Sequence, residues 1–195
     1  MRKTKEETYQ TIKQLLEIAR QHFTEKGYAN VAIDEIGKEA ELTRGAIYHH
    51  FKNKEGLFLS VFEQVQKDIA NHVEKEAMKS EDMWEQLLNG CRAFLTAASE
   101  SHNHRILLID GPAVLGWNTF RRMDQKYSMT SLKEQLQLMH NHGLISTSSI
   151  DSLTFCLSGA MNEAVLWITE SPNRRQLINE VMETMESLLA GFENK

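Results

Sequence analysis

Apolar residues recur at intervals of three and four along nearly the whole chain, and only two prolines in 195 residues interrupt them. A pattern with the period of an α-helix does not settle as strands, which need alternation at every second residue. With only ten glycines as well, the chain lacks the turn residues that a many-stranded sheet requires. Its 41% hydrophobic and 25% charged residues allow a sizeable core, in one compact unit or two small domains. The expected fold class is all-α, with about nine helices.

Ile12, Leu15, Leu16, Ala19 and Phe23 make the first stripe, which Gly27 closes as a C-terminal cap. A short second helix carries Ile33, Ile36 and Ala40. A third carries Ile47 and Phe51, and the tight joint between the two is the layout of a helix-turn-helix. Asn53 is placed to cap a long fourth helix, over about 54–78, with Leu57, Val61, Phe62, Val65, Ile69 and Val73 on one face. That helix links a three-helix head, residues 1–54, to a helical body, residues 55–195. Ser80, Glu81 and Asp82 start a fifth helix. Gly111-Pro112 imposes a kink or boundary within residues 105–117. One further helix is expected from about 118 to Gly143. Two long amphipathic helices close the chain, the second opening on Ser171 as cap and Pro172 as first helical residue.

The net charge of −5 is unevenly spread. Residues 1–54 carry ten Lys/Arg against eight Asp/Glu, a balance of +2, while the remainder carries twelve against nineteen, a balance of −7. A mildly basic head on an acidic body is compatible with nucleic-acid contact by the head, although +2 is weak support by itself. Residues 1–12 hold basic side chains but no apolar core of signal-peptide length, and no stretch reaches the roughly 18 apolar residues of a membrane span. A cytoplasmic protein without membrane contact is expected. Cys91 and Cys156 are too few and too far apart for a disulfide framework or a paired metal motif, so both are expected as reduced core residues.

On the third helix, inward Ile47 and Phe51 turn Arg44, Gly45, Tyr48 and His49 outward. That face combines a guanidinium able to bond guanine O6 and N7 bidentately, a glycine that allows close approach, a hydroxylated aromatic and an imidazole. Lys52 and Lys54 follow at the helix end, placed for backbone phosphates. For an arbitrary short helix the plain alternative is that Tyr48 and the histidines merely cover a surface.

Gly27-Tyr28, Ile36, Ala40, Thr43-Arg44-Gly45, Ile47-Tyr48, His50-Phe51, Lys54 and Leu57 together resemble the N-terminal signature of the TetR (tetracycline-repressor-like) family of transcriptional regulators. The resemblance implies a homodimeric DNA reader in which Thr43, Arg44, Tyr48 and His49 contact a palindromic double-stranded operator and Lys54 binds phosphate. It implies a repressor released by a small-molecule effector. Val31 and Ala32 depart from the family's usual Thr/Ser pair before the second helix, which removes a side-chain cap there. Glu41 replaces the usual turn glycine, at a cost of about 1 kcal/mol if the turn is left-handed.

Beyond about residue 75 the resemblance is looser. It implies that the two closing helices form a four-helix dimer interface, to which Leu157, Ala160, Ala164, Val181, Met185 and Leu188 are assigned; the alternative is that these stripes pack only within one chain. A cavity is expected among the fifth to eighth helices, with Trp84, Phe94, Arg105, Trp117, Arg121, Tyr127, Asn162 and Trp167 as candidate lining residues. Each aromatic is equally readable as ordinary core. The histidine pairs 102/104 and 140/142 point to different helix faces, so neither a metal nor a cofactor is expected. No nucleophile elbow, phosphate-binding glycine loop or carboxylate pair marks an enzyme, and Asp110 reads as a helix-end cap. A body that serves only as a dimerisation scaffold, and a small-molecule enzyme, are the competing readings.

Arg44→Ala is expected to relax base preference at one operator position by about 1–3 kcal/mol, whereas Lys54→Ala should weaken all sequences and shallow the salt slope by about one. Binding titrations on matched and mismatched duplexes at several salt concentrations check both.

Overall fold

A computed structural model describes residues 5–194; Lys195 and residues 1–4, the start of the basic N-terminal stretch, lie outside it. Among the described residues the chain is helical throughout, and the one β contact is an isolated bridge between Ile145 and Glu193. Helix α1 (Lys5–Asn30), α2 (Ile33–Glu39) and α3 (Arg44–Phe51) form the head, and α4 (Lys54–Ala77) runs from it into the body. Phe23 of α1, Ile36 of α2, Ile47 of α3 and Phe58 of α4 are fully buried and close the head's core. Phe23, Tyr28 and Phe58 form an aromatic cluster with ring centres 5.1 to 5.9 Å apart, a geometry that adds to the burial of their area.

Both turns around α3 carry backbone strain. At the first, Leu42 N–H donates to Gly37 O at 2.8 Å and Glu41 N–H to Lys38 O at 3.4 Å, the paired bonds of a Schellman cap. Its left-handed position falls on Glu41, at φ 54°. Ala32 precedes α2 without a side-chain cap. At the second turn Lys52 adopts φ 68°, ψ −50°, and Asn53 N–H donates to Phe51 O at 2.8 Å. That is a three-residue γ-turn, rare and strained for a residue with a side chain. Asn53 then caps α4 as its sequence position predicts, accepting from Gly56 N–H at 2.7 Å.

The body comprises α5 (Met83–Ala98), α6 (Ser101–His104), a π-helical turn (Arg105–Asp110), α7 (Gly111–Leu115), α8 (Trp117–Lys126), α9 (Ser128–Asn141), α10 (Ile150–Thr169) and α11 (Arg174–Ala190). Asp82 caps α5 by accepting from Glu85 N–H at 2.9 Å. The boundary at Gly111-Pro112 is a change from π to α winding. The single helix expected to end at Gly143 is two, parted at Tyr127. Its inward residues run Phe120, Met123, Asp124 and then Met129, Leu136, Met139; the five-residue step at the joint breaks the helical period, so no straight helix buries both sets. Joined end to end, these pieces bring the helix count close to the expected nine. The last helix starts at Arg174, two residues beyond the expected Pro172, because Ser171 Oγ accepts from Asn173 N–H at 3.1 Å and so makes a turn of its own. Cys91 is buried, but Cys156 is exposed on α10, contrary to its expected core position.

Glu41→Gly is expected to relieve the left-handed strain and stabilise the chain by about 1 kcal/mol, raising Tm by about 2–4 °C. Thermal unfolding followed by circular dichroism checks it.

Candidate nucleic-acid interface and effector cavity

Thr43 holds the start of α3: its Oγ1 accepts from Ala46 N–H at 3.2 Å, which leaves its hydroxyl proton for another acceptor. Thr43, Arg44, Gly45 and His49 are exposed and Tyr48 is half-buried, so the structure gathers the predicted strip on one surface. The Arg44 guanidinium lies 5.2 Å from the Tyr48 ring centre and 3.4 Å from Asp34 Oδ2 on α2. With both partners more than half exposed, at 58% and 68%, that ion pair is weak and releases the guanidinium at little cost. Among the described residues nothing requires the glycine at 45. A side chain there would meet only Thr43 Oγ1, at 3.9 Å.

Lys52 projects from the strained turn and is exposed. Lys54 is not: it is half-buried, its Nζ donates to Ala29 O at 3.4 Å, and it lies 4.5 Å from the Tyr28 ring centre. Burial lowers its pKa, against the opposing pull of the Asp110 carboxylate. The Tyr28 hydroxyl is shifted upward, first by burial and then by Glu55 and Tyr48.

Two body residues read otherwise in the sequence prove to hold the head. Gly27, at φ 74°, breaks α1 and leaves the carbonyls of the preceding turn without helical partners. Arg105, expected in the cavity, donates through Nη1 to Thr24 O at 3.1 Å and Glu25 O at 3.2 Å. Tyr28 N–H, just past the break, donates to Asp110 Oδ2 at 2.9 Å. Arg105 and Asp110 stand five apart at the two ends of the π turn, and winding wider than an α-helix lets such a pair serve one neighbour. Arg20 adds a second tie, to Asp68 at 2.6 Å and Asn103 at 2.7 Å. The expected cap role of Asp110 is not realised on its own helix, where its side chain makes no cap hydrogen bond, and the sequence carried no signal for Arg105.

A cavity of about 200 Å³ lies between α4, α5, α9 and α10. Of the eight predicted lining residues only Phe94 reaches it. Trp84 packs partly buried against the core. Tyr127 donates its hydroxyl to Glu63, which lowers the Glu63 pKa. Trp117 and Trp167 are 63% and 51% exposed. Arg121 binds buried Asp124 at 2.9 Å and lies over Trp117 and Phe155, at 5.7 and 5.2 Å. Asn162 bonds the same carboxylate, whose pKa burial raises against Arg121, Asn162 and Ser158. Helix periodicity marks which residues turn inward, but inward residues can equally fill a core as line a void, and only packing separates them.

Of the residues assigned to a dimer interface, Leu157 and Met185 are consumed by the chain's own core, at 5% and 3% exposure. Ala164 and Val181 are half-buried, and Ala160 and Leu188 are exposed. Helix α10 is apolar on nearly every side, so its period carries no phase. Its free face instead presents Phe155, Gly159, Ala160 and Trp167.

Residues 15–61 match the family described as bacterial regulatory proteins, tetR family, and residues 84–192 match the tetracyclin repressor-like C-terminal domain. The chain is 32% identical over 120 residues to the transposon Tn10 TetC protein of Escherichia coli, covering 62% of this chain and 59% of that one. It is 41% identical over 68 residues to the HTH-type transcriptional regulator AcrR of Shigella flexneri, covering 35% and 32%. The chain thus spans less than two thirds of the length of these curated relatives. The crystal structure of a TetR-family transcriptional regulator from Pectobacterium atrosepticum superposes with a TM-score of 0.81 at 32% identity, covering 99% of both chains. With the second match alone spanning more than half its length, this chain belongs to the TetR family of bacterial regulatory proteins. No helix among its described residues is long and apolar enough to cross a membrane.

Asp110→Ala leaves the Tyr28 N–H without its acceptor, an expected cost of about 1–3 kcal/mol, while Asp110→Asn keeps an acceptor oxygen and restores most of it. Hydrogen exchange at the Tyr28 amide is the readout, and it should quicken in the first variant far more than in the second.

Proposed function

We propose that the chain is a homodimeric, sequence-specific DNA-binding repressor that a small molecule releases from a palindromic operator. The head, residues 1–54, reads DNA, and the body, residues 55–195, dimerises and holds the effector. Arg44, Tyr48 and His49 read base edges from α3 while Thr43 and Lys52 bond phosphates, the division of labour that sets register and specificity separately. Lys54 joins them by leaving Ala29 O. Two such heads meet successive major grooves when they stand roughly 34–36 Å apart.

The observation that carries this reading is Gly45. Gly45 is an exposed residue in the first turn of α3, where alanine has the greater helix propensity, and no neighbour among the described residues asks for glycine. Close approach by a duplex explains its presence. The dimer reading draws on the free face of α10 and α11, where Phe155, Trp167 and Leu188 are 43%, 51% and 57% exposed. Gly159 stands there with open space where a side chain would be, room for a crossing helix. A formed cavity in the body favours effector sensing over a bare scaffold. An effector that prefers one head spacing needs a coupling of about 1–3 kcal/mol, enough to loosen operator binding roughly 5–150-fold.

Selection of bound duplexes from a random DNA pool, at fixed salt because phosphate contacts make affinity salt-dependent, is expected to return a palindrome. Gly45→Ala should then bind that palindrome more weakly while unfolding at higher temperature. No enriched sequence from a folded, dimeric protein, or unchanged affinity in Gly45→Ala, counts against the reading.

A further inference from the structure

The lining of the body's cavity is one-sided in charge. No lysine, arginine or histidine lines it, whereas Glu74 of α4 and Glu134 of α9 do. Both carboxylates are exposed, and neither has an ion pair among the described residues, unlike Glu63, Asp68, Glu76, Asp124 and Asp151 elsewhere in the body. The two amides of the lining point the same way. Gln86 Nε2 donates to Ser80 O and Gln135 Nε2 to Met83 O, each at 2.9 Å, so one of the two N–H donors of each amide is committed and both carbonyl oxygens remain as acceptors. Lys79 and Lys133, nearby in sequence, line none of the cavity and are held by Glu76 and Asp151, each at 2.6 Å.

The rest of the wall is apolar or neutral. Val73, Leu87, Phe94, Leu132 and Met161 supply most of it. Burial pushes the Cys91 thiol up to about 12, so it too is uncharged at working pH. An anion would meet two carboxylates and no cationic side chain, so no opposite charge offsets its desolvation. A protonated amine offers what the rim lacks, a positive charge.

We propose that this cavity selects a lipophilic organic cation, an apolar ring body carrying a protonated amine that Glu74, Glu134 and the Gln86 and Gln135 carbonyls receive. The inference rests on the reading of the body as the effector-binding half and adds to it the class of effector.

Three isosteric probes test it on the full-length chain by isothermal titration: 1-naphthylmethylammonium, 1-naphthalenemethanol and 1-naphthoate. Two exposed ion pairs of about 0.5–0.7 kcal/mol each predict an ammonium affinity about five- to tenfold above that of the alcohol, with the naphthoate weaker than either. In E74Q/E134Q the ammonium should fall to the alcohol's affinity while the alcohol is unchanged, a pattern that a general loss of folding would not produce. Naphthoate or alcohol binding as tightly as the ammonium, a preference that survives E74Q/E134Q, or no binding of any probe to the folded chain overturns the inference. The same preparation, titrated on its selected operator, separates this from the repressor reading: an ammonium that binds with the expected charge preference yet leaves DNA bound upholds the ligand class and overturns release.

Discussion

The break in α1 at Gly27 obliges the body to finish the head's backbone. A helix that ends at φ 74° strands the carbonyls of its last turn and the N–H beyond it. Arg105 takes the carbonyls of Thr24 and Glu25, and Asp110 takes the N–H of Tyr28. A part-buried backbone group without a partner is costly, so the end of α1 goes where the π turn goes. Lys54 leans on the same place, over the Tyr28 ring. Helix α3 is thereby seated on a head whose α1 end is tied by hydrogen bonds to residues 105 and 110 of the body.

Strain and stability are distributed around α3 in the way expected of a functional element. Glu41 on one side and Lys52 on the other hold positive φ without being glycine, and such residues persist only where surrounding structure over-determines them. Here the over-determination is visible: Ile47 fully buried beneath the helix, the Schellman bonds before it and the Asn53 cap after it. The reading face itself is held loosely, by one exposed ion pair and one ring contact. In the proposed complex with DNA, a rigid seat under loosely tethered side chains would let base contacts form with little reorganisation.

How far the sequence was legible varied by element for identifiable reasons. Asn53 and Asp82 are short polar side chains followed by apolar periods, and both cap the helices their positions imply. Ser171 sits in an equally plausible place but closes a local turn instead. The expected continuous helix to Gly143 parts at Tyr127, because the step of five from Asp124 to Met129 among its inward residues breaks the helical period. Cavity residues were the least legible. Phe94 was recovered, but Trp117, Arg121 and Asn162 belong to a cluster around Asp124, and Arg105 serves α1.

The sequence by itself determined an all-helical chain, the tight pair of short helices near residue 40, and the strip from Thr43 to His49 that faces outward. Those follow from period and capping, which act over a few residues. Only the tertiary structure decided which inward side chains fill a core and which bound a void, and which face of the largely apolar α10 is left free. It alone brought Arg105 and Asp110 to the broken end of α1. Each of these is set by which distant helix comes to lie alongside, a choice made by packing the whole chain at once that no local pattern records.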